Sequence, residues 1–245
     1  LDETVDCTNQ EGATAESLKA AVRAGAMAVH TDWIQLLPFM SPDEQGYGVA
    51  AFYTDGQASY APTLCRATGR RVVNELTDRK RYADAILETG EPCVQITCKK
   101  AMYGEGLENA MKAGITHEFN SLEEAAAFYD MPADALADEI ARYNTFVTNK
   151  LDEDFEKPIP DDAQTIDEPP FYGVRTGAWF LATLDGVTID TNMHPCDENG
   201  DPIEGLYLTG NDSGGFFSVS YPNLLTGLAC GRTMTFGRRA GMLAA

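Results

Sequence analysis

Apolar residues fall at helical spacing at Leu18, Ala21 and Val22, with Gly25 placed to end the helix. Leu136, Ile140, Tyr143 and Val147 mark a longer amphipathic helix. Ser121-Leu122-Glu123-Glu124 has the form of a capping box and predicts another helix start. Residues 104–114 suit a short helix ending at glycine. Runs of apolar residues predict extended segments at 28–37, leading to Pro38, at 93–97, and at 206–209, where Gly210 closes a buried strand. Residues 39–61 read as turn-rich and aromatic, and 151–168 as an acidic, proline-bearing surface loop. Asn199-Gly200 signals a tight hairpin turn.

Beyond Gly210 a glycine-rich loop leads to Leu224, Leu225, Leu228, Ala229, Met234 and Phe236, an apolar pattern that predicts a buried helix. Gly227, Gly231, Gly237 and Gly241 weaken its intrinsic helix preference and open it to close backbone approach. Strand, glycine loop and helix together form a place for a cofactor. Side chains at the strand end hold hydroxyls, and free N–H groups at the helix start favour an electron-rich ring edge as an anion.

Composition removes several functions. The 245 residues allow one large domain or two small ones. Lys and Arg number 18 against 38 acidic residues, a net charge of −20. That surface repels polyanions, which argues against nucleic acid as a partner and serves solubility. The uncharged stretch 213–231 carries too much Pro, Ser, Asn and Gly for a spanning helix, so no membrane span is expected. Six scattered cysteines and three distant histidines (His30, His117, His194) show no ligand spacing. No metal site is expected, and the cysteines read as buried free thiols. No Ser-His-Asp or Cys-His pattern supports nucleophilic hydrolysis.

Three sets of motifs occur in order along the chain. They are Gly69-Arg70-Arg71-Val72-Val73-Asn74-Glu75 with Thr77-Asp78-Arg79, Pro169-Pro170-Phe171-Tyr172 with Gly186-Val187-Thr188-Ile189-Asp190, and Gly205-Leu206-Tyr207 with Phe236-Gly237-Arg238-Arg239-Ala240-Gly241. Together they resemble the C-terminal part of fumarate reductase/succinate dehydrogenase flavoproteins. The Tyr221-Pro222 step is similar to the 3-ketosteroid dehydrogenase branch. Such flavoproteins open with a strand and Gly-x-Gly-x-x-Gly, whereas Gly104-Glu105-Gly106-Leu107-Glu108-Asn109 lacks the third glycine. The expectation is a fragment without the N-terminal dinucleotide-binding half. Its fold class is an α+β capping domain, residues 32–180, inserted into the remnant of an α/β FAD-binding domain, residues 1–31 and 181–245.

The resemblance also implies roles. Arg79 falls on the family's proton-delivering arginine, with Glu75 or Asp78 as its proton source and Tyr221 as the alternative acid. Asn211 and Asp212, after Gly210, stand where the family's glutamate meets the ribityl chain, and Ser220 lies on the same loop. Backbone N–H groups at Asn223, Leu224 and Leu225 are expected at the flavin N1–C2=O edge. Leu37, Ala50 and Leu181 occupy places where the family carries polar substrate anchors, and Phe217 or Tyr221 offers a stacking surface.

These readings imply FAD as the cofactor of the longer parent, with little retained by the fragment. The implied activity is reduction of an activated C=C bond in an enoate or enone other than fumarate, by hydride transfer and protonation. A cytochrome or a reduced flavin or quinol chain is the expected electron donor. The alternatives are a 3-ketosteroid-type dehydrogenase and a non-catalytic cap or docking module.

Overall fold

A computed structural model describes residues 5–44, 49–221, 225 and 227–245, with backbone only for Val49, Ala50 and Phe52. Along the chain come α1 (Glu16–Arg23), β1 (Ala28–Val29), β2 (Ile34–Met40), α2 (Val49–Tyr60), β3 (Thr63–Leu64), α3 (Arg79–Glu88) and β4 (Cys93–Cys98). Then follow α4 (Leu107–Lys112), β5 (Thr116–Phe119), α5 (Leu122–Tyr129), α6 (Ala133–Asn149), β6 (Phe171–Thr183), β7 (Gly186–Val187), a 3-10 turn at Gly210–Asp212 and α7 (Leu228–Ala244). They form two compact units. One joins Leu1–Thr8 to Leu37–Trp179, and the other joins Asn9–Leu36 to Phe180–Ala245.

A sheet ordered β2-β6-β4-β3, with β5 also on β6, organises the first unit. β6 is its centre. Val174 pairs with Gln95 of β4 and with Thr116 of β5, both antiparallel. A strand covered on both faces must be apolar at nearly every position, and from Phe171 to Trp179 only Arg175 escapes burial. Helices α5 and α6 lie in the core cluster with Leu64, Val94, Ile96 and Phe171. The predicted stripe Leu136, Ile140, Tyr143 and Val147 is at most 3% exposed, and each such side chain contributes about 1.5–3 kcal/mol by leaving water. Ser121 caps α5 as its spacing predicts, accepting from Glu124 N at 3.2 Å. Asn144 of α6 pins the 151–168 loop by donating to Ile166 O and accepting from Ile166 N.

Residues 39–61 depart from the expected turns, since β2 runs to Met40 and α2 covers most of the remainder. Gly56 disguises that helix. A Cβ there would stand 2.0 Å from Cδ1 of Tyr103, so packing of that ring requires the glycine that weakens local helix preference.

The second unit packs Ala21, Ala26, Val187 and Leu208 together, and β1 pairs with β7 through Ala28↔Val187 and Val29↔Gly186. The turn expected at Asn199-Gly200 is present. Asp197 Oδ1 accepts from Asn199 N and Asp201 N, and Gly200 has φ +86°.

Two expectations fail in this unit. Residues 206–209 form no strand, because Leu206 N donates to Ile203 O and Leu208 N to Met193 O, with no ladder partner alongside. The C-terminal helix starts at Leu228 rather than near Leu224, and only Arg232 and Ala240 of α7 are buried. Met234 is 76% and Met242 69% exposed. Cβ atoms at Gly231 and Gly241 would meet nothing within 4 Å, so these glycines serve no close approach among the described residues. The cysteines are free, but Cys7 and Cys230 are exposed rather than buried.

Candidate functional site

Each unit holds one cluster of the singled-out residues. In the first, the Asn74-Glu75 motif builds a buried ion network. Glu75 accepts from Arg71 Nε at 2.9 Å, Arg71 Nη2 at 2.7 Å and Thr63 N at 2.8 Å. Lys157 Nζ lies 3.1 Å from Glu75 Oε2, the oxygen that also receives Arg71 Nη2, and Arg71 Nη1 donates to Asp152 at 2.7 Å. The Arg71 guanidinium stands over the Tyr143 and Phe155 rings. Burial alone would raise the Glu75 carboxyl; Lys157 and Arg71 outweigh it and hold it below the usual range. Glu75 is thus engaged on both oxygens by Arg71, Thr63 N and Lys157, an arrangement that favours its anion over a proton-relay role. Asp78 is also occupied, as N-cap of α3, accepting from Lys80 N and Arg81 N at 3.1 Å each.

Arg79 is the first residue of α3, half-buried, and its Nε is buried with no hydrogen-bond partner among the described residues. The acid beside it is Asp55 of α2. Partial desolvation raises the Asp55 carboxyl above the usual range although the residue stays exposed, and the charge of Arg79 works against that rise. Asp55 is missing from the sequence-based site. In the sequence it is marked only as the one charged residue between Glu44 and Arg66, with no motif around it. Leu37 is buried on β2, and Ala50 lies on α2 with its side chain outside the description.

In the second unit Gly210 opens the 3-10 turn at φ +75°, and Ser213 Oγ donates back to its carbonyl at 2.8 Å. Gly214 N then donates to Val187 O. A Cβ on Gly214 would stand 2.6 Å from Val29 Cγ2, and one on Gly186 would stand 2.3 Å from Gly214 N. Only a glycine pair permits that approach. Asn211 is exposed, and Asp212 is half-buried with its carboxyl raised by burial and then by Asp185.

Phe217 and Tyr221 are half-buried, with ring centroids 4.3 Å apart. Gln35, fully buried, receives Tyr221 N at 2.8 Å and Ser220 Oγ at 3.4 Å on Oε1. Arg232 of α7 donates to Ser213 O at 3.3 Å and to Gly210 O, beneath the Phe216 and Phe217 rings. The roles of Gln35 and Arg232 are absent from the sequence-based site, because neither belongs to a motif that predicts a loop contact. Leu181 is half-buried on β6, and Leu225 is 59% exposed. Asn223 and Leu224 lie outside the described residues. The α7 start has Gly227 as N-cap; Leu228 N donates to Leu225 O, and among the described residues no side chain caps the N–H groups that follow.

Among the described residues no His, Cys, Asp and Glu group could hold a metal, and no helix is long and apolar enough to cross a membrane.

A family model described as "FAD binding domain" matches residues 3–223. An acrylate reductase flavoprotein subunit of Shewanella woodyi is 33% identical, over 90% of this chain and 45% of the relative. A fumarate reductase (cytochrome) of Shewanella frigidimarina is 30% identical, over 97% of this chain and 40% of the relative. A vinyl phenol reductase of Lactiplantibacillus plantarum is 32% identical, over 51% of this chain and 25% of the relative. Among solved structures, the open form of a flavocytochrome c3 fumarate reductase superposes with TM-score 0.70 at 25% identity, over 98% of this chain and 41% of that one. A 3-ketosteroid delta1-dehydrogenase from Sterolibacterium denitrificans gives 0.75 at 22% identity, over 98% of this chain and 48% of that one, a likeness of fold. The chain spans under half the length of each of these relatives.

Proposed function

The chain belongs to the FAD binding domain family, and on that premise we propose that its protein is an FAD-dependent reductase of activated carbon–carbon double bonds. In this reading Leu37–Trp179 acts as an α+β substrate cap. Asn9–Leu36 with Phe180–Ala245 forms part of the flavin-binding domain. The residues present fit the cofactor's ring end. The uncapped start of α7 offers N–H groups to an electron-rich edge, and the Gly186–Gly214 approach supports the loop carrying Asn211, Asp212 and Ser220. Bound FAD supplies hydride to one carbon of the double bond.

The other carbon needs a proton, and the observation that carries the proposal is Arg79, whose buried Nε has no hydrogen-bond partner among the described residues and whose charge acts on Asp55. A guanidinium is too weak an acid to give up its proton without replacement. Arg79 holds the proton at the double bond, and Asp55, whose carboxyl is raised above the usual range, replenishes it. Tyr221 is the second candidate acid. Leu37 and Leu181 are apolar groups where a dicarboxylate would need polar partners, and Phe217 with Tyr221 offers a planar ring surface. The substrate we infer is a flat enoate, enone or vinyl arene carrying less charge than fumarate. Acrylate reductase and vinyl phenol reductase relatives support that class. A cytochrome-like donor is the proposed electron source, as the name of the fumarate reductase (cytochrome) relative suggests.

The test is the complete protein with reduced viologen as electron donor, offered fumarate, acrylate, cinnamate and 4-vinylphenol. Consumption of the last two ahead of fumarate supports the reading. Fumarate reduction alone overturns the substrate class, and a reverse-only activity on ketosteroids overturns the direction.

A further inference from the structure

Arg232 is an unusual buried cation. It is 6% exposed, and among the described residues it forms no salt bridge with a carboxylate. Its Nε has no hydrogen-bond partner there. Taking a charge out of water without an opposite charge is costly. What compensates Arg232 is local. Two backbone carbonyls, Gly210 O and Ser213 O, receive its two terminal nitrogens, and the Phe216 and Phe217 rings lie 4.8 and 5.3 Å from Cζ.

Among the described residues these compensating groups belong to one loop, residues 210–217, and Tyr221 beyond it also favours the charged form. The loop conformation and the burial of Arg232 therefore stabilise each other. At the far end, Gln35 holds Ser220 and Tyr221. Between these two anchors stand Phe217 and Tyr221, in ring contact at 4.3 Å.

We propose that Arg232 is a positioning residue. Its planar fork fixes Gly210 and Ser213 while its face carries Phe217, and so sets the Phe217–Tyr221 ring pair as the surface that selects planar aromatic acceptors over small ones. The selectivity rests on the reductase reading above; the clamp on the loop does not. A lysine cannot replace the arginine, because a point charge on a flexible stem neither bridges two carbonyls nor stacks flat beneath a ring.

The experiment compares wild type with Arg232→Lys and Arg232→Met in the complete protein, with two readouts. Susceptibility of residues 210–221 to limited proteolysis reports the clamp without any turnover. The ratio of kcat/KM for cinnamate to that for acrylate reports selectivity. Both variants are expected to be cut faster within 210–221. Their cinnamate-to-acrylate ratio should fall roughly tenfold, the worth of one aromatic stacking contact. Phe217→Leu, with Arg232 intact, should lower the same ratio and serves if the arginine variants fail to fold. An unchanged ratio in Phe217→Leu, or full rescue by lysine in both readouts, overturns the proposal. If wild type reduces neither substrate, the reductase reading falls, while unchanged proteolysis in the variants would sink the clamp separately.

Discussion

At the scale of single residues, two arginines eight positions apart divide structure from chemistry. Arg71 is saturated by Glu75 and Asp152, whereas Arg79 keeps a buried nitrogen with no hydrogen-bond partner among the described residues. Arg79→Ala in the complete protein is expected to abolish turnover while leaving the flavin absorbance intact; near wild-type kcat would move the acid to Tyr221. Asp55→Asn should keep flavin binding and lose activity selectively. In the unaltered protein, activity should fall as pH rises through the elevated Asp55 pKa, because the proton source is then spent. Persistence of that alkaline limb in Asp55→Asn would assign it to another group. Glu75 works in the opposite sense. Its folded pKa is lowered, so its stabilisation is fully present above the ordinary glutamate value and is lost as pH falls through the folded one. Glu75→Gln leaves Arg71 and Lys157 facing one fewer charge and should cost about 3–5 kcal/mol in denaturant unfolding. A loss under 1 kcal/mol, roughly the worth of a surface ion pair, would show the network to be dispensable.

At the scale of elements, glycines decide where sequence and structure part. The α6 stripe and the Ser121 cap were legible because periodicity and capping are local, and both are found as written. Helix α2 was hidden because Gly56 answers to Tyr103, a residue 47 positions on that no local rule sees. Residues 206–209 looked like a strand by hydrophobicity, but a strand needs a neighbour, and sequence does not supply one. The site divides in the same way. Tyr221 and Phe217 are singled out by resemblance and chain order, whereas the contacts of Gln35 and Arg232 join residues far apart in the chain. Two glycines test this view. Gly214→Ala forces a Cβ into Val29 and the Gly186 backbone and should destabilise by about 1–3 kcal/mol. Gly231→Ala, inside α7 with nothing within 4 Å, should stabilise by about 0.5–1 kcal/mol. Denaturant midpoints of both variants measure it, and equal shifts would refute the packing argument.

At the scale of the whole molecule, the two units are unequally consolidated. The first has a continuous buried cluster running from Leu64 through Ile96, Leu136 and Phe146 to Phe171, together with a second around Tyr53 and Val174. Among the described residues, the second has a cluster of Ala21, Ala26, Val187 and Leu208 and a 17-residue α7 with two buried side chains. Burial of apolar area is the main favourable term in folding, and amides open with free energies that follow local burial. Helix α7 also contains three interior glycines, Gly231, Gly237 and Gly241, each lowering its intrinsic stability by about 0.5–1 kcal/mol relative to alanine. Its hydrogen bonds therefore lack both propensity and cover. Hydrogen exchange on the 245-residue chain should show β4 and α6 exchanging slowest and α7 fastest among the helices of eight residues or more. FAD added to the same chain should slow α7 if the N–H groups at its start meet the flavin edge. Exchange of α7 as slow as α6 without flavin would mean that this face is covered by a second copy of the chain, and a concentration series would reveal that as faster exchange on dilution.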